Sequence, residues 1–190
     1  MKEFEEKIKK EGKIFNDEIL KVDGFINHQV DASLMEKLGE AIAEHFKGQG
    51  ITKVACIESS GIAPGLMTAK ALQVPMVIMK KQPSNILNDN LYETEVTSFT
   101  KEISYNLCVS KEYISDADHI LIVDDFLANG EAATGAVRLI RSSHATIAGI
   151  AVLIEKSFQP GHDKLVSQGL DVFALAKIAG LKDGEIIFAE

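Results

Sequence analysis

The chain predicts an α/β fold, a mostly parallel sheet with helices on both faces. Three observations carry that expectation. Strand-length apolar runs alternate with helical patterns from residue 34 to residue 177. The runs Lys53–Glu58, His119–Val123 and Thr146–Ile154 are apolar along most of their length, as strands covered on both faces require. Finally, 190 residues with 46% apolar and 25% charged side chains suit one globular unit with a sizeable core. No repeat, low-complexity tract or linker divides the chain, so residues 1–190 read as a single domain.

Residues 3–11 predict a short amphipathic helix, with Phe4 and Ile8 on one face and Gly12 ending it. Residues 13–31 read as irregular, because Leu20–Val30 mixes apolar and amide side chains without a clean period. Ser33-Leu-Met-Glu36 reads as a capping box. Leu34, Leu38, Ile42 and Phe46 then line one helix face before Gly48 and Gly50 close it. Lys53–Glu58 predicts a strand, Ser59-Ser60-Gly61 a turn, and the next residues a helix to about Gln73 that Val74-Pro75 breaks. Met76–Met79 is the next strand. Residues 80–94, with a proline, three Asn and an Asp, read as a long loop. Val96–Thr100 and Ile103–Val109 predict a hairpin or paired strands. His119–Val123 is a buried strand, followed by a loop to Gly130 and a helix to about Ser143. Thr146–Ile154 is another buried strand and residues 161–168 a short helix. Asp171–Ala176 and Glu185–Ala189 complete the set.

The balance of 20 Lys+Arg against 28 Asp+Glu leaves a net charge of −8. That argues against a surface built to neutralise nucleic-acid phosphates or to lie on an anionic membrane. No stretch approaches the roughly 20 apolar residues that span a bilayer, and the charged segment 1–13 has no signal-type apolar run. The expectation is a cytoplasmic protein without nucleic-acid or membrane partners. Cys56 and Cys108 lie in apolar runs and read as small buried hydrophobes, not a disulfide or zinc set. His28, His45, His119, His144 and His162 show no ligand spacing, and no Lys-Ser/Thr follows a glycine as a Walker loop would need.

The strongest chemical signal is Ile120–Thr134, ILIVDDFLANGEAAT. Four apolar strand residues end in Asp124 and Asp125, and a short loop through Gly130 feeds a helix. Free amides at a helix start bind anions, and the helix dipole favours negative charge there. Carboxylates suit hydroxyls or a metal instead. A phosphate seat beside a hydroxyl seat fits a ribose 5-phosphate; solvated acids before an Asn-Gly turn is the plainer alternative. Ligands of parallel sheets bind at the strands' carboxyl ends, which directs attention also to Glu58–Pro64 and Glu155–Phe158.

This pattern resembles the motif by which type I phosphoribosyltransferases bind 5-phosphoribosyl 1-pyrophosphate (PRPP). The similarity runs over nearly the whole chain, through LKVDGFINHQVD (20–31), IESSGIAP (57–64), SFTK (98–101) and IEKSFQPG (154–161). The DDFLANG form is most similar to the xanthine-using members, and also to the bacterial purine repressor built on the same fold. The resemblance implies the type I fold with a small hood from about 1–32 and 178–190. It also implies a flexible flap over about 82–101, with Tyr92, Ser98 and Lys101 as candidate contacts. Catalytic Asp124 and Asp125 would hold the ribose hydroxyls, and Ala128, Asn129, Gly130, Glu131 and Ala132 the 5-phosphate. Ser59, Ser60 and Gly61 would form the pyrophosphate loop, where a non-proline cis peptide is common, with Lys80 and Lys81 as nearby cations. Lys156 would donate to the carbonyl at position 6 of a purine and Phe158 stack on the ring. Leu20 and Asn27 would lie at xanthine, the Asn27 amide donating to its second carbonyl.

The implied reaction is xanthine plus PRPP giving xanthosine 5′-monophosphate and pyrophosphate. Mg²⁺ would be carried with PRPP, and the chain would work as a homodimer. One departure stands out: many family members end the phosphate loop Thr-Gly-x-Thr, whereas here it is ANGEA. Backbone amides and Asn129 must then carry more of the binding, and Glu131 is expected to point away from the phosphate. The rivals are a hypoxanthine/guanine or adenine phosphoribosyltransferase, a binding module without catalysis, and a PRPP-sensing regulator of purine genes. A regulator needs a DNA-reading element, and no winged-helix segment precedes the fold here.

Overall fold

The computed structural model describes residues 1–16, 19–81, 90–98 and 103–189. In chain order the elements are α1 (Lys2–Glu11), β1 (Lys13–Phe15), β2 (Ile19–Lys21), α2 (Ala32–His45), β3 (Lys53–Ile57), α3 (Ile62–Leu72) and β4 (Met76–Met79). Then come β5 (Leu91–Ser98), β6 (Ile103–Ser110), a 3₁₀ turn (Lys111–Tyr113), β7 (His119–Leu127) and α4 (Glu131–Ser142). The chain ends with β8 (Thr146–Lys156), α5 (Gly161–Val166), β9 (Val172–Lys182) and β10 (Glu185–Phe188).

Six strands form the central sheet in the order β10-β9-β8-β7-β3-β4, all neighbours parallel except β9 and β10. Because β3 pairs with β4 on one side and β7 on the other, the strand order reverses there. The crevice beyond the carboxyl ends of β3 and β7 is therefore where such a sheet receives ligands.

Successive strand residues point to opposite faces, and this divides the core in two. Val54, Leu121, Val123, Ala151 and Leu153 face one cluster, with Phe4 and Ile8 of α1 and Leu34, Leu38 and Ile42 of α2. Ala55, Ile57, Ile120, Ile122, Ile150 and Val152 face the other, with α4, Leu165 of α5 and Val96, Leu107 and Val109 of the β5–β6 hairpin. The mostly apolar strand runs follow directly from this double coverage.

Several boundaries differ from the sequence reading. The α2 cap is Asp31, not Ser33: its carboxylate accepts from the Leu34 amide at 3.1 Å and pairs with Lys7 of α1 at 3.1 Å. Those two partners, the amide first, hold the Asp31 carboxyl below the usual carboxylate range. The segment 13–31, read as irregular, contains the β1–β2 hairpin, with Ile14 opposite Leu20. Strands of three residues are too short for a period to declare itself. β5 begins at Leu91, inside the expected loop, because β6 supplies an eight-residue partner. β7 continues past Val123 through both acids to Leu127, since β8 pairs with it as far as Glu155. β9 likewise runs on to Lys182, where Asp183 and Gly184, both at positive φ, turn the chain into β10. Of the expected flap, residues 82–89 and 99–101, Lys101 among them, lie outside the described residues. Tyr92 sits on β5 beneath the Lys111 ammonium, 5.3 Å from its ring centre.

Both cysteines are buried and free, and burial, then Asp124 and Glu58, pushes the Cys56 thiol up to about 12. No helix among the described residues is long and apolar enough to cross a membrane.

Candidate active site

Asp124 and Asp125 lie near the carboxyl end of β7, in the crevice beside β3. The Asp125 amide donates to Asp124 Oδ1 at 2.9 Å, and the Phe126 amide donates to Asp125 Oδ1 at 3.0 Å. The Asp124 carboxyl is held well above the usual carboxylate range, first by burial and then by the charge of Asp125. The Asp125 amide and the positive charge of Lys81 act in the opposite sense. Gly61 closes over this group: a Cβ there would stand 2.9 Å from Asp124 Oδ1 and 2.8 Å from the Ile57 carbonyl oxygen. A glycine is needed at this turn because the β3–α3 backbone and the acid share one space.

The turn Glu58–Gly61 joins β3 to α3, with the Glu58–Ser59 peptide cis. Ser59 is exposed and Ser60 half-buried. Glu58 accepts from the Lys81 amide at 2.8 Å, which ties this turn to the end of β4. The Lys81 ammonium lies 5.5 Å from the ring centre of Tyr105 on β6. Burial and the nearby charges of Asp124 and Glu131 raise the Tyr105 hydroxyl. The sequence reading does not single out Tyr105; its place two residues before Leu107, on the same strand face, is the signal that marks it. Lys80 is paired through its backbone with Cys108.

The loop Ala128–Ala132 rises from β7 into α4. Gly130 adopts φ +85°, and a Cβ there would stand 2.9 Å from the Gly161 Cα. The loop therefore rests on the start of α5, where the Gly161 amide donates to the Ala128 carbonyl at 3.0 Å. Lys164 donates to the Asn129 carbonyl at 2.9 Å and lies 3.6 Å from the Glu131 carboxylate. The amides of the first turn of α4 have no partner within the helix, so this end presents an anion seat next to two carboxylates.

On the opposite side of the acids, the Asn27 amide donates to Asp125 Oδ2 at 3.0 Å. The structure thus joins two residues that lie 98 positions apart. Leu20, on β2, has only 6% of its surface exposed and belongs to the core of the N-terminal segment. Lys156 ends β8, half-buried and in register with Ile178. Phe158 is 45% exposed in the turn that follows. The neighbouring Glu155 is 2% exposed and accepts from Ser157 Oγ at 2.6 Å; His162 Nδ1 lies 2.9 Å from it and Lys177 Nζ 4.0 Å. A buried carboxylate requires such partners, and these fix the turn between Lys156 and Gly161. Neither His162 nor Lys164 had a spacing to betray it.

Among the described residues, no three His, Cys, Asp or Glu side chains cluster closely enough to hold a metal by themselves. Mg²⁺ is commonly held by one or two carboxylates together with substrate phosphates and water, and the adjacent Asp124 and Asp125 fit that donor set. A cavity of about 550 Å³ beside β4, lined by Met76, Ile78, Leu91, Val109 and Tyr113 among others, includes neither acid. The two acids lie in the open crevice instead.

Comparison with known proteins agrees with this geometry. A family model described as a phosphoribosyl transferase domain matches residues 27–176. The chain is 57% identical to a xanthine phosphoribosyltransferase of Agathobacter rectalis, over 100% of this chain and 99% of that one. It is 49% identical to one from Listeria innocua, over 100% and 99% respectively. Among solved structures, the adenine phosphoribosyltransferase of Thermoanaerobacter pseudethanolicus superposes with a TM-score of 0.75 at 25% identity, covering 92% of this chain and 99% of that one. That of Trypanosoma brucei gives 0.77 at 19% identity, over 92% and 79%, and shows the fold alone.

Proposed function

The chain belongs to the phosphoribosyl transferase domain family, and from that premise we propose that it transfers the phosphoribosyl group of PRPP to xanthine. The products are xanthosine 5′-monophosphate and pyrophosphate. The observation that carries this reading is the Asn27–Asp125 hydrogen bond of 3.0 Å. It sets a donor suited to a purine carbonyl directly against an acid suited to ribose, as a base about to join a ribose requires.

In this reading the first amides of α4 and the loop Ala128–Ala132 hold the 5-phosphate. Asp124 and Asp125 hold the ribose hydroxyls and favour the positive charge that develops on the sugar ring. The turn Ser59–Gly61, with Lys81, receives the pyrophosphate. Lys156 and Asn27 donate to the two carbonyls of xanthine, over Leu20 in the hood. A base nitrogen forms the new bond to the anomeric carbon as the bond to pyrophosphate oxygen breaks, and the ring proton of the acidic xanthine passes to solvent. Mg²⁺, bound to PRPP and reached by Asp124 or Asp125, would offset charge on the leaving group.

The hood, about 1–32 and 178–190, is supported by packing. Phe4, Ile8, Leu20 and Val22 share a core cluster with Ile178 and Leu181, and the amino terminus donates to the Leu175 carbonyl at 2.6 Å. A cytoplasmic location suits a purine-salvage enzyme, and the family resemblance supports a homodimer, which light scattering on the purified protein tests.

The deciding experiment is turnover with PRPP, Mg²⁺ and, separately, xanthine, hypoxanthine, guanine and adenine. The greatest kcat/KM is expected with xanthine. A preference for another base removes the roles given to Asn27 and Lys156, and PRPP binding without turnover points to a regulator. Asn27→Ala should weaken xanthine about tenfold more than hypoxanthine, the scale of one lost hydrogen bond to a buried polar group. Equal losses would contradict base reading by Asn27.

A further inference from the structure

The loop Ala128–Ala132 contains no hydroxyl side chain, and its single formal charge is the acid Glu131. Glu131 is the first residue of α4, so it stands where the helix amides would receive a phosphate. A carboxylate there competes with the incoming anion unless something neutralises it.

Two cations lie in the cleft that Glu131 shares with β5. Arg138 is committed to the hairpin, donating to Thr94 Oγ1 at 3.3 Å and to the Glu95 carbonyl at 2.5 Å. Lys164 instead serves the loop, on the Asn129 carbonyl at 2.9 Å and beside Glu131 at 3.6 Å. In a trans peptide the carbonyl and the following N–H point in opposite directions. With the Ala128 carbonyl held by the Gly161 amide and the Asn129 carbonyl by Lys164, the N–H groups of Asn129 and Gly130 are turned away from those anchors. One side chain therefore both cancels the acid of the loop and orients an amide of the anion seat.

We infer that Lys164 is a positioning residue for PRPP, acting through Asn129 and Glu131 so that an acidic, hydroxyl-free loop can accept a phosphate. The inference rests on the reading of Ala128–Ala132 as the 5-phosphate seat. Lys164 is part-exposed, with 46% of its side-chain surface open against 19% for Glu131, so its replacement disturbs no core.

The test is a cycle of Lys164→Met, Glu131→Gln and the double variant, with Lys164→Arg as the charge-keeping control. PRPP binding is measured by calorimetry and KM for each substrate by steady-state kinetics, with thermal midpoints recorded for all four. Lys164→Met is expected to raise KM for PRPP about fivefold, the upper end for a part-exposed pair, with a much smaller change in KM for the base. Glu131→Gln alone is expected to lower KM for PRPP about twofold, because Lys164 then has no acid to neutralise. The double variant, which still lacks the Asn129 contact, is expected to recover about half of the fivefold loss, and Lys164→Arg to retain most of the native affinity. Equal losses for PRPP and base overturn the inference, and so does a double variant no better than Lys164→Met. Failure of the unmodified protein to bind PRPP overturns the phosphate-seat reading itself, and the two failures are told apart by that calorimetric control.

Discussion

Asp124→Asn is expected to lower kcat/KM by about two to three orders of magnitude, the scale of losing one preorganised electrostatic group, while making the folded protein more stable at neutral pH. The two effects share a cause. The Asp124 carboxyl lies beside Asp125, half-buried in the crevice, and loss of solvent contact, then that neighbouring charge, raises it well above the ordinary range. The folded protein thus binds a proton at Asp124 more tightly than the unfolded chain does. Stability from this group is complete below the ordinary carboxylate pKa and is lost as pH rises through the raised folded value. Asparagine cannot ionise, and its Oδ1 can still accept from the Asp125 amide, which donates to Asp124 at 2.9 Å in the native chain. Thermal denaturation of both proteins between about pH 4 and pH 8 should show a flatter profile for the variant and a higher midpoint above the folded pKa. The gain is on the order of 2–4 °C per kcal/mol relieved in a chain of this size. A variant less stable at pH 8 would show that Asp124 is not strained by its charge, and undiminished turnover would remove it from catalysis.

Gly161→Ala is the second large effect, and it acts from outside the loop it disables. A Cβ at this position would stand 2.3 Å from the Ala128 carbonyl oxygen, 2.9 Å from Leu127 Cδ1 and 3.0 Å from the Gly130 nitrogen. Two of those atoms are backbone of the phosphate loop, which cannot yield as a flexible side chain would. The loop must shift, and the Gly161–Ala128 hydrogen bond of 3.0 Å goes with it. Overpacking of this kind costs about 1–3 kcal/mol of stability, and a displacement near 1 Å in an anion seat can cost about a hundredfold in rate. The expected result is a large rise in KM for PRPP, a smaller rise for the base, and a thermal midpoint lowered by several degrees. Unchanged PRPP kinetics would mean that α5 does not seat the loop.

Periodicity is a local property, and it reported local structure well. Phe4 and Ile8 on α1, the row Leu34, Leu38, Ile42 on α2, and the double-faced strands all fell where their spacing put them. The acid pair and its glycine loop were legible too, because consecutive residues hold both the strand end and the helix start. Ser33 and Asp31 are both competent caps for α2, and Lys7, brought by α1, decides for Asp31. The β1–β2 hairpin and the extensions of β7 and β9 were hidden because a strand lasts as long as its partner does.

By itself, then, the amino-acid order determined the α/β class, the succession of most elements and the acid pair with its glycine loop at residues 120–134. The tertiary structure alone decided which distant side chains stand against those residues: Asn27 at Asp125, Gly61 over Asp124, Tyr105 beside Lys81, and Gly161 and Lys164 under the loop. The physical reason is that each of these contacts depends on where the strand order and the crossovers set whole elements against one another. Backbone and side-chain spacing along the chain carries information only over a turn or two of helix or the width of one strand.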